Sequence, residues 1–389
     1  MRRKPSHKHE HKVMNATKSS RTNWTDSMSW EVEFFLRSCE RRRTDGERNW
    51  PWYEKAVAYN KHFIRLRLRR WLRGAVKGAN PQLTLDWLWD NSENLWMTRS
   101  MLADDLSRLL FDSSLLLRMS GHRHFYFPRI DFEDLVEMRG KERFNMRALP
   151  KDYLGLPLNV CDLVLRMPGS SPANIRLVCT EQLLDGINSY RQYLTTRNSV
   201  AVAPRHGEVV FDCGACIGDF SLLFAAMVGD SGQVHAFEPI PLHNRYCALQ
   251  AQLNPALAAT LCFNELAVGA RTSTASQPLV DCARIDPGHR VDEDSFDCTS
   301  LDDYADTKHL RQIDFIKMDI EGAEMDAIEG ARNIIRTYKP RLAISGYHKP
   351  ADLWEIPQKL KSLNSGYELT FGHHSPVQWE SVFYARDQV

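Results

Sequence analysis

Beyond Arg205, short apolar runs of strand length alternate with stretches of helical period, and no other part of the chain is patterned so regularly. Strands are predicted over residues 208–212, 233–238, 261–267, 313–319 and 340–346, with helices between most of them. That alternation predicts a doubly wound α/β sheet. Pro241 opens the helix after the second strand, where a missing N–H is harmless. Ala327, Ile328, Ala331, Ile334, Ile335 and Tyr338 share one face of a helix predicted over residues 323–338, so that helix should pack on the sheet. Tyr367 to Phe371 and Trp379 to Tyr384, joined through Gly372 to Pro376, predict a terminal antiparallel hairpin.

The front of the chain follows other rules. Residues 1–22 are polar, basic and too poor in apolar groups to offset the entropy of ordering, so a disordered tail is expected. From Trp24 to Trp96 lie eight of the ten tryptophans. Within this stretch Ile64, Leu68, Trp71, Leu72 and Ala75 recur at helical spacing opposite Arg65, Arg69, Arg70 and Arg73. A cationic face of this kind suits solvent first, and then a phosphate-rich acceptor or a membrane surface. Leu102, Leu106, Leu109, Leu110, Ser113 and Leu117 form a second helical stripe ended by Gly121. Prolines then break the pattern up to Arg205, although Leu158 to Arg166 alternates like a strand and Glu181 to Leu194 reads as a helix. The expected organisation is a basic tail (1–22), a mainly helical region (23–121), a connecting segment that caps a nucleotide site (122–204) and an α/β domain (205–389).

A formal charge of +1 gives no global basic field, so nucleic acid is not an expected partner. Nine cysteines, an odd number without the spacing of a secreted framework, fit reduced thiols and a cytoplasmic location. Cys213 and Cys216 make a lone CxxC inside a glycine turn, with no second pair to complete a zinc site. No apolar run reaches the roughly 18 residues a membrane span needs, and the basic start has no apolar region behind it.

The candidate chemistry begins where Val209-Val210-Phe211 runs into Asp212-Cys213-Gly214-Ala215-Cys216-Ile217-Gly218. A chain that leaves a strand and enters a helix over a nucleoside needs positive φ and close backbone approach, which Gly214 and Gly218 allow. Asp212 ahead of the first glycine repels a pyrophosphate and favours a cationic, amine-bearing ligand. S-adenosylmethionine is such a ligand. Glu238, at the tip of the next strand, can accept two hydrogen bonds from ribose hydroxyls in this case or in a nicotinamide enzyme.

Lys317-Met318-Asp319-Ile320-Glu321-Gly322-Ala323-Glu324 places a strand end, a carboxylate, a glycine turn and a helix start in one stretch. Together with Asp212 to Gly218, Ala236-Phe237-Glu238-Pro239, Thr299-Ser300-Leu301-Asp302 and Gly330-Ala331, it closely resembles the signature of FkbM-type methyltransferases over roughly residues 205–385. The resemblance implies a class I Rossmann-like sheet with a C-terminal hairpin, behind a mainly helical N-terminal region. It also implies S-adenosylmethionine as cofactor and in-line methyl transfer to a hydroxyl of a glycan or glycosylated small molecule, and the cationic helix adds a nucleotide- or lipid-linked glycan as a candidate acceptor. Such a reaction needs alignment and a proton acceptor at the carboxyl ends of the strands, and Asp319 and His348 are the candidates. Asp212, Gly214, Ala215, Gly218, Glu238, Asn264, Glu265 and Ala267 are the candidate cofactor residues. Bland roles remain open: Asp319 can cap a helix, His348 can be a loop residue, and Glu324 can serve a nearby N–H. Asp319, Glu321, Glu324 and His348 could instead hold a divalent cation, but methyl transfer does not require one and no metal is expected. The competing readings are a nicotinamide-dependent oxidoreductase, disfavoured by Asp212 and the hairpin, and a methyltransferase-like scaffold.

Overall fold

The computed structural model describes residues 21–28, 85–120, 137–138, 147–153, 156–166, 173–180, 192–197, 200–277, 296–375 and 379–388. The cationic helix expected over residues 64–75 and all but the last two residues of the basic tail lie outside them.

In chain order the front half holds α1 (residues 21–28), α2 (Leu85–Asp90), α3 (Ser92–Met101) and α4 (Asp105–Ser120). Then follow β1 (Glu137–Met138), β2 (Arg147–Tyr153), β3 (Leu156–Arg166), β4 (Ala173–Cys179), β5 (Thr195–Arg197) and β6 (Val200–Val202). The regular half runs β7 (Val209–Cys213), α5 (Asp219–Val228), β8 (Gln233–Phe237), α6 (Pro241–Leu253), β9 (Leu261–Asn264), β10 (Ala267–Val268), β11 (Ser273–Gln277), β12 (Phe296–Thr299) and α7 (Leu301–Thr307). It ends with β13 (Phe315–Met318), α8 (Glu324–Gly330), α9 (Arg332–Thr337), β14 (Arg341–Ser345), α10 (Asp352–Leu363), β15 (Tyr367–His373) and β16 (Ser381–Asp387).

The main sheet has seven strands in the order β15-β16-β14-β13-β7-β8-β9. Its five inner-to-far strands pair in parallel, and β16 joins antiparallel to β14 and β15. Helices cover both faces, which is why the parallel strands read as continuous apolar runs. Phe211 and Ile316 pack into the core beneath α8, α9 and α10, while their neighbours Val210 and Phe315 pack on the α5 side. The expected strands, the terminal hairpin and Pro241 at the start of α6 are all present.

Two expectations need correction. The strand placed at 261–267 stops at Asn264, and Ala267 belongs to β10 of a separate three-stranded sheet. The helix placed at 323–338 is two helices that break at Ala331, next to Gly330, where a Cβ would lie 2.1 Å from the carbonyl oxygen of Gly269. Asp302 then caps the second piece, accepting from the backbone N–H groups of Asn333 and Ile334 at 2.9 Å each. Of the helix placed at 181–194, residues 181–191 lie outside the description, and Gln192-Tyr193 form a turn.

The segment before the regular half builds an antiparallel sheet of β1 to β4. Strand β4 is fastened to α6 by two side-chain amides that imitate a neighbouring strand. Gln250 accepts from Val178 N–H at 2.9 Å and donates to its carbonyl at 2.8 Å; Asn254 does the same for Arg176 at 2.8 Å each. These bonds satisfy an exposed sheet edge. Gln250 also donates to Ile217 O at 3.2 Å, so the small sheet is tied to the glycine turn.

The front helices share the main core. Leu110, Phe111, Leu115 and Leu117 of α4 are buried against the sheet, with Phe111 edge-on to Phe371 at 5.4 Å. The outer edge of β15 is covered by the start of this segment, where Ala103 N–H donates to Leu369 O and Phe371 N–H donates to Ser107 Oγ. Among the described residues no helix is long and apolar enough to cross a membrane.

Candidate active site

The glycine turn lies at the carboxyl end of β7. Gly214 and Gly218 have φ of +78° and +77°, as their place in the turn requires. A Cβ on Gly214 would fall 1.9 Å from the carbonyl oxygen of Asp319, so the turn rests directly on the end of β13. The N–H groups of Gly214 and Ala215 both donate to Phe237 O, and Gly218 stands at the N-terminus of α5.

Asp212 does not open to solvent. Its carboxylate is fully buried, 3.0 Å from the ammonium of Lys317, and accepts from Ser221 Oγ at 2.6 Å. Lys317 satisfies its remaining donors on Gly214 O at 2.6 Å and Cys213 O at 3.2 Å. Although burial opposes its charge, Asp212 and then Asp319 hold the Lys317 ammonium above its ordinary pKa. The expectation that Asp212 selects a cation by bare charge therefore needs correction: lysine neutralises it, and the pair braces the turn from below. Lys317 stands inside a four-residue strand that is otherwise apolar, Phe315-Ile316-Lys317-Met318. A charge so placed is itself a signal of a buried partner.

The first-turn acid of α5 was not singled out from sequence. Asp219 is buried beside the turn, its Oδ2 makes no hydrogen bond, and burial pushes its pKa up to about 6. Glu238 lies at the tip of β8, where one oxygen accepts from Cys216 N–H at 2.8 Å and the other from Ile240 N–H at 3.0 Å. His243 Nδ1 stands 3.2 Å from the same carboxylate. At the end of β9, Asn264 donates to Ala236 O and accepts from the Tyr304 hydroxyl, each at 3.1 Å; Glu265 is exposed and Ala267 half-buried. The structure thus gathers Asp212, Gly214, Ala215, Gly218 and Glu238 around one turn. Asn264 and Glu265 sit one strand further out, and Ala267 lies in another sheet.

Asp319 and His348 do meet. Asp319, just past β13, accepts from the Tyr193 hydroxyl at 2.5 Å and the Tyr347 hydroxyl at 3.0 Å. Burial raises its proton affinity, but His348, Lys317 and the two hydroxyls outweigh it and leave its pKa below the usual carboxylate value. His348 is nearly buried, with Nδ1 2.9 Å from Glu324 and Nε2 3.4 Å from Asp319 and 3.6 Å from Glu321. Burial disfavours its charge, yet Glu324 and the other two carboxylates prevail and raise its pKa to about 10. An imidazole faced by three carboxylates favours its charged form over its neutral one. Asp319, Glu324 and His348 also have the spacing of a cation site, with ligand atoms within 4.8 Å of one another. Glu324 also accepts from Ile320 N–H at 2.9 Å, as a structural partner would.

Three further side chains join this cluster without any motif announcing them. Tyr193 comes from the turn before β5, Tyr347 follows β14, and Glu380 precedes β16. Gln192 donates both to the Tyr193 oxygen at 2.7 Å and to Glu380 Oε2.

Numbered within the main sheet, the strand order is third-second-first-fourth-fifth-seventh-sixth, with the glycine turn after the first strand and the acidic turn after the fourth. That is the class I methyltransferase fold. Residues 212–369 match the model of the methyltransferase FkbM domain, so this part of the chain carries that domain. No curated protein matches the chain in sequence. Among solved structures, methyltransferase FkbM from Methylobacillus flagellatus KT is 20% identical over 77% of this chain and 59% of its own, with a TM-score of 0.48. Fibrillarin from Aeropyrum pernix in complex with natively bound S-adenosyl-L-methionine is 11% identical over 62% of this chain and 100% of its own, with a TM-score of 0.32. A SAM-dependent methyltransferase from Aquifex aeolicus is 14% identical over 48% of this chain and 86% of its own, with a TM-score of 0.29.

Proposed function

We propose that the chain is an S-adenosylmethionine-dependent O-methyltransferase acting on a hydroxyl of a glycan or glycosylated small molecule. The observation that supports this reading is the direct seating of the glycine turn on the strand end that bears Asp319, with the acid cluster next to it. The residues fit the donor. Asp219 keeps a buried, unbonded carboxylate oxygen beside the turn, as an ammonium requires, and Glu238 stands at the tip of the second strand, where a ribose would be read. When bound, S-adenosylmethionine supplies a sulfonium methyl with a good leaving group already attached.

The remaining work falls to the chain. Gly214, Ala215, Gly218, Glu238 and Asp219 would hold and orient the donor, with Asn264, Glu265 and Ala267 on the adenine side. Asp319, held anionic between two tyrosine hydroxyls, would position the acceptor oxygen in line. His348 would keep that carboxylate ionised. In this reading residues 205–389 form the transferring unit, the acceptor is a saccharide that can be free, nucleotide-linked or lipid-linked, and the reaction is cytoplasmic.

Calorimetric titration with S-adenosylmethionine, S-adenosylhomocysteine and nicotinamide dinucleotides tests the donor. Binding of the first two alone is expected; nicotinamide binding would point to an oxidoreductase, and no binding at all to a scaffold. Tritium-labelled donor with a carbohydrate extract then locates the acceptor, and label appearing only on nitrogen or carbon would overturn the O-methyl assignment.

A further inference from the structure

We propose that Glu380 is the general base that takes the acceptor's hydroxyl proton, an inference that rests on the methyl-transfer reading and assigns a residue outside the matched family segment. Both acid–base candidates named by the motifs are already engaged by other groups. Asp319 has both oxygens engaged by the Tyr193 and Tyr347 hydroxyls and is held below the normal carboxylate range. His348 has Nδ1 turned to Glu324 at 2.9 Å and Nε2 to Asp319 and Glu321 at 3.4 and 3.6 Å, so neither nitrogen is left to take a proton from an acceptor.

Glu380 differs from both. It is half-buried beside the same cluster, connected to Asp319 through Gln192 and Tyr193. Gln192 binds Oε2, and among the described residues Oε1 has no hydrogen-bond partner. The backbone holds it in place at φ +69°, a left-handed conformation that a non-glycine residue rarely adopts and that concentrates at functional positions. His374 N–H donates to its carbonyl at 2.9 Å, and the next residue, Ser381, accepts from Gly346 N–H at 2.9 Å. Glu380 is thereby fixed beside the loop that carries Tyr347 and His348.

The groups facing Glu380 are Asp319 and Glu321 after β13, Tyr347 and His348 after β14, and Gln192 and Tyr193 before β5. Burial raises its pKa most, and Asp319 adds to this. The Gln192 hydrogen bond and His348 pull the other way and Glu321 pushes up again, leaving a value of about 8. A base is most effective when its proton affinity lies near the working pH. In the step, the acceptor oxygen forms its bond to the methyl carbon while the carbon–sulfur bond breaks with its electron pair moving to sulfur. The hydroxyl proton passes to the Glu380 carboxylate, which returns it to water.

The test uses the full chain with Glu380→Gln and Glu380→Asp, measuring donor affinity by calorimetry and labelled methyl transfer to the carbohydrate extract across pH. Wild-type turnover should rise to a plateau with a midpoint near pH 8. Glu380→Gln should bind the donor as before, lose about a hundredfold or more in kcat and show no such rise, while Glu380→Asp should recover part of the rate. Removing a carboxyl whose folded-state pKa is raised should also increase Tm progressively as pH climbs from about 4.5 to about 8, the reverse of what loss of a purely structural contact does. Glu380→Gln with wild-type turnover, or with lowered turnover on an unchanged pH profile, overturns the inference and leaves the methyl-transfer reading intact. A wild-type chain that binds no donor, or labels no hydroxyl, overturns that reading and the inference together.

Discussion

The two ends of the main sheet are both dense in charge, and they are built oppositely. At the amino end, a groove of about 600 Å³ is lined by Arg205, Glu208, Asp314, Lys339, Arg341 and Asp387 among others. Three of its cations have acids of their own: Arg341 pairs with Glu208, Lys339 with Asp387 and Arg386 with Glu368. At the carboxyl end three carboxylates converge within 3.6 Å on the single imidazole of His348, and a fourth, Glu380, adjoins them. One-to-one pairing satisfies charge and stops there. Crowding several acids around one cation moves proton affinities into the range where chemistry can use them, which is the pattern expected of a working site.

The contrast can be broken most severely underneath the carboxyl end. Asp212→Asn strands the Lys317 ammonium in the core, and loss of one partner of a buried pair should destabilise the fold by about 3–5 kcal/mol in urea denaturation. Gly214→Ala adds a Cβ against Asp319 O at positive φ. Strain of about 1–3 kcal/mol is expected from the backbone alone, with a weaker donor site by calorimetry. A milder probe is pH. The folded-state pKa of His348 is raised, so its stabilising contribution is complete below about pH 6.5 and is lost as pH rises towards about 10. Thermal melts of His348→Gln should therefore show a smaller loss of Tm between those limits than wild type. At the amino end Lys339→Ala removes a partly exposed pair, and its effect should stay below about 1 kcal/mol with donor affinity unchanged.

Much of this architecture was legible because parallel strands buried on both faces must be apolar throughout, and Val209 to Phe211 and Phe315 to Met318 say so directly. The glycine turn was legible for a steric reason, since only glycine tolerates the approach of Gly214 to Asp319. What escaped depended on distance in sequence. Nothing around Gln192, Tyr193 or Glu380 marks them, because their meaning arises only when a turn before β5 and a loop before β16 meet beside Asp319. The state of Asp212 escaped for a related reason: its carboxylate looks unpaired until β13 is laid beside β7 and Lys317 comes level with it. His348 was found by its place after a strand, but whether it would be neutral or charged depended on how many acids faced it.

Arg118 of α4, 94 residues before the matched segment starts at Asp212, is buried in the core and donates to Gly346 O at 3.1 Å, with Ser381 Oγ at 3.5 Å. Those two residues immediately precede Tyr347 and follow Glu380. A fragment trimmed to the family boundaries would thus lose the strut between the loops that carry Tyr347 and Glu380 along with the helix that seals β15. The shortest piece worth expressing begins upstream of α2.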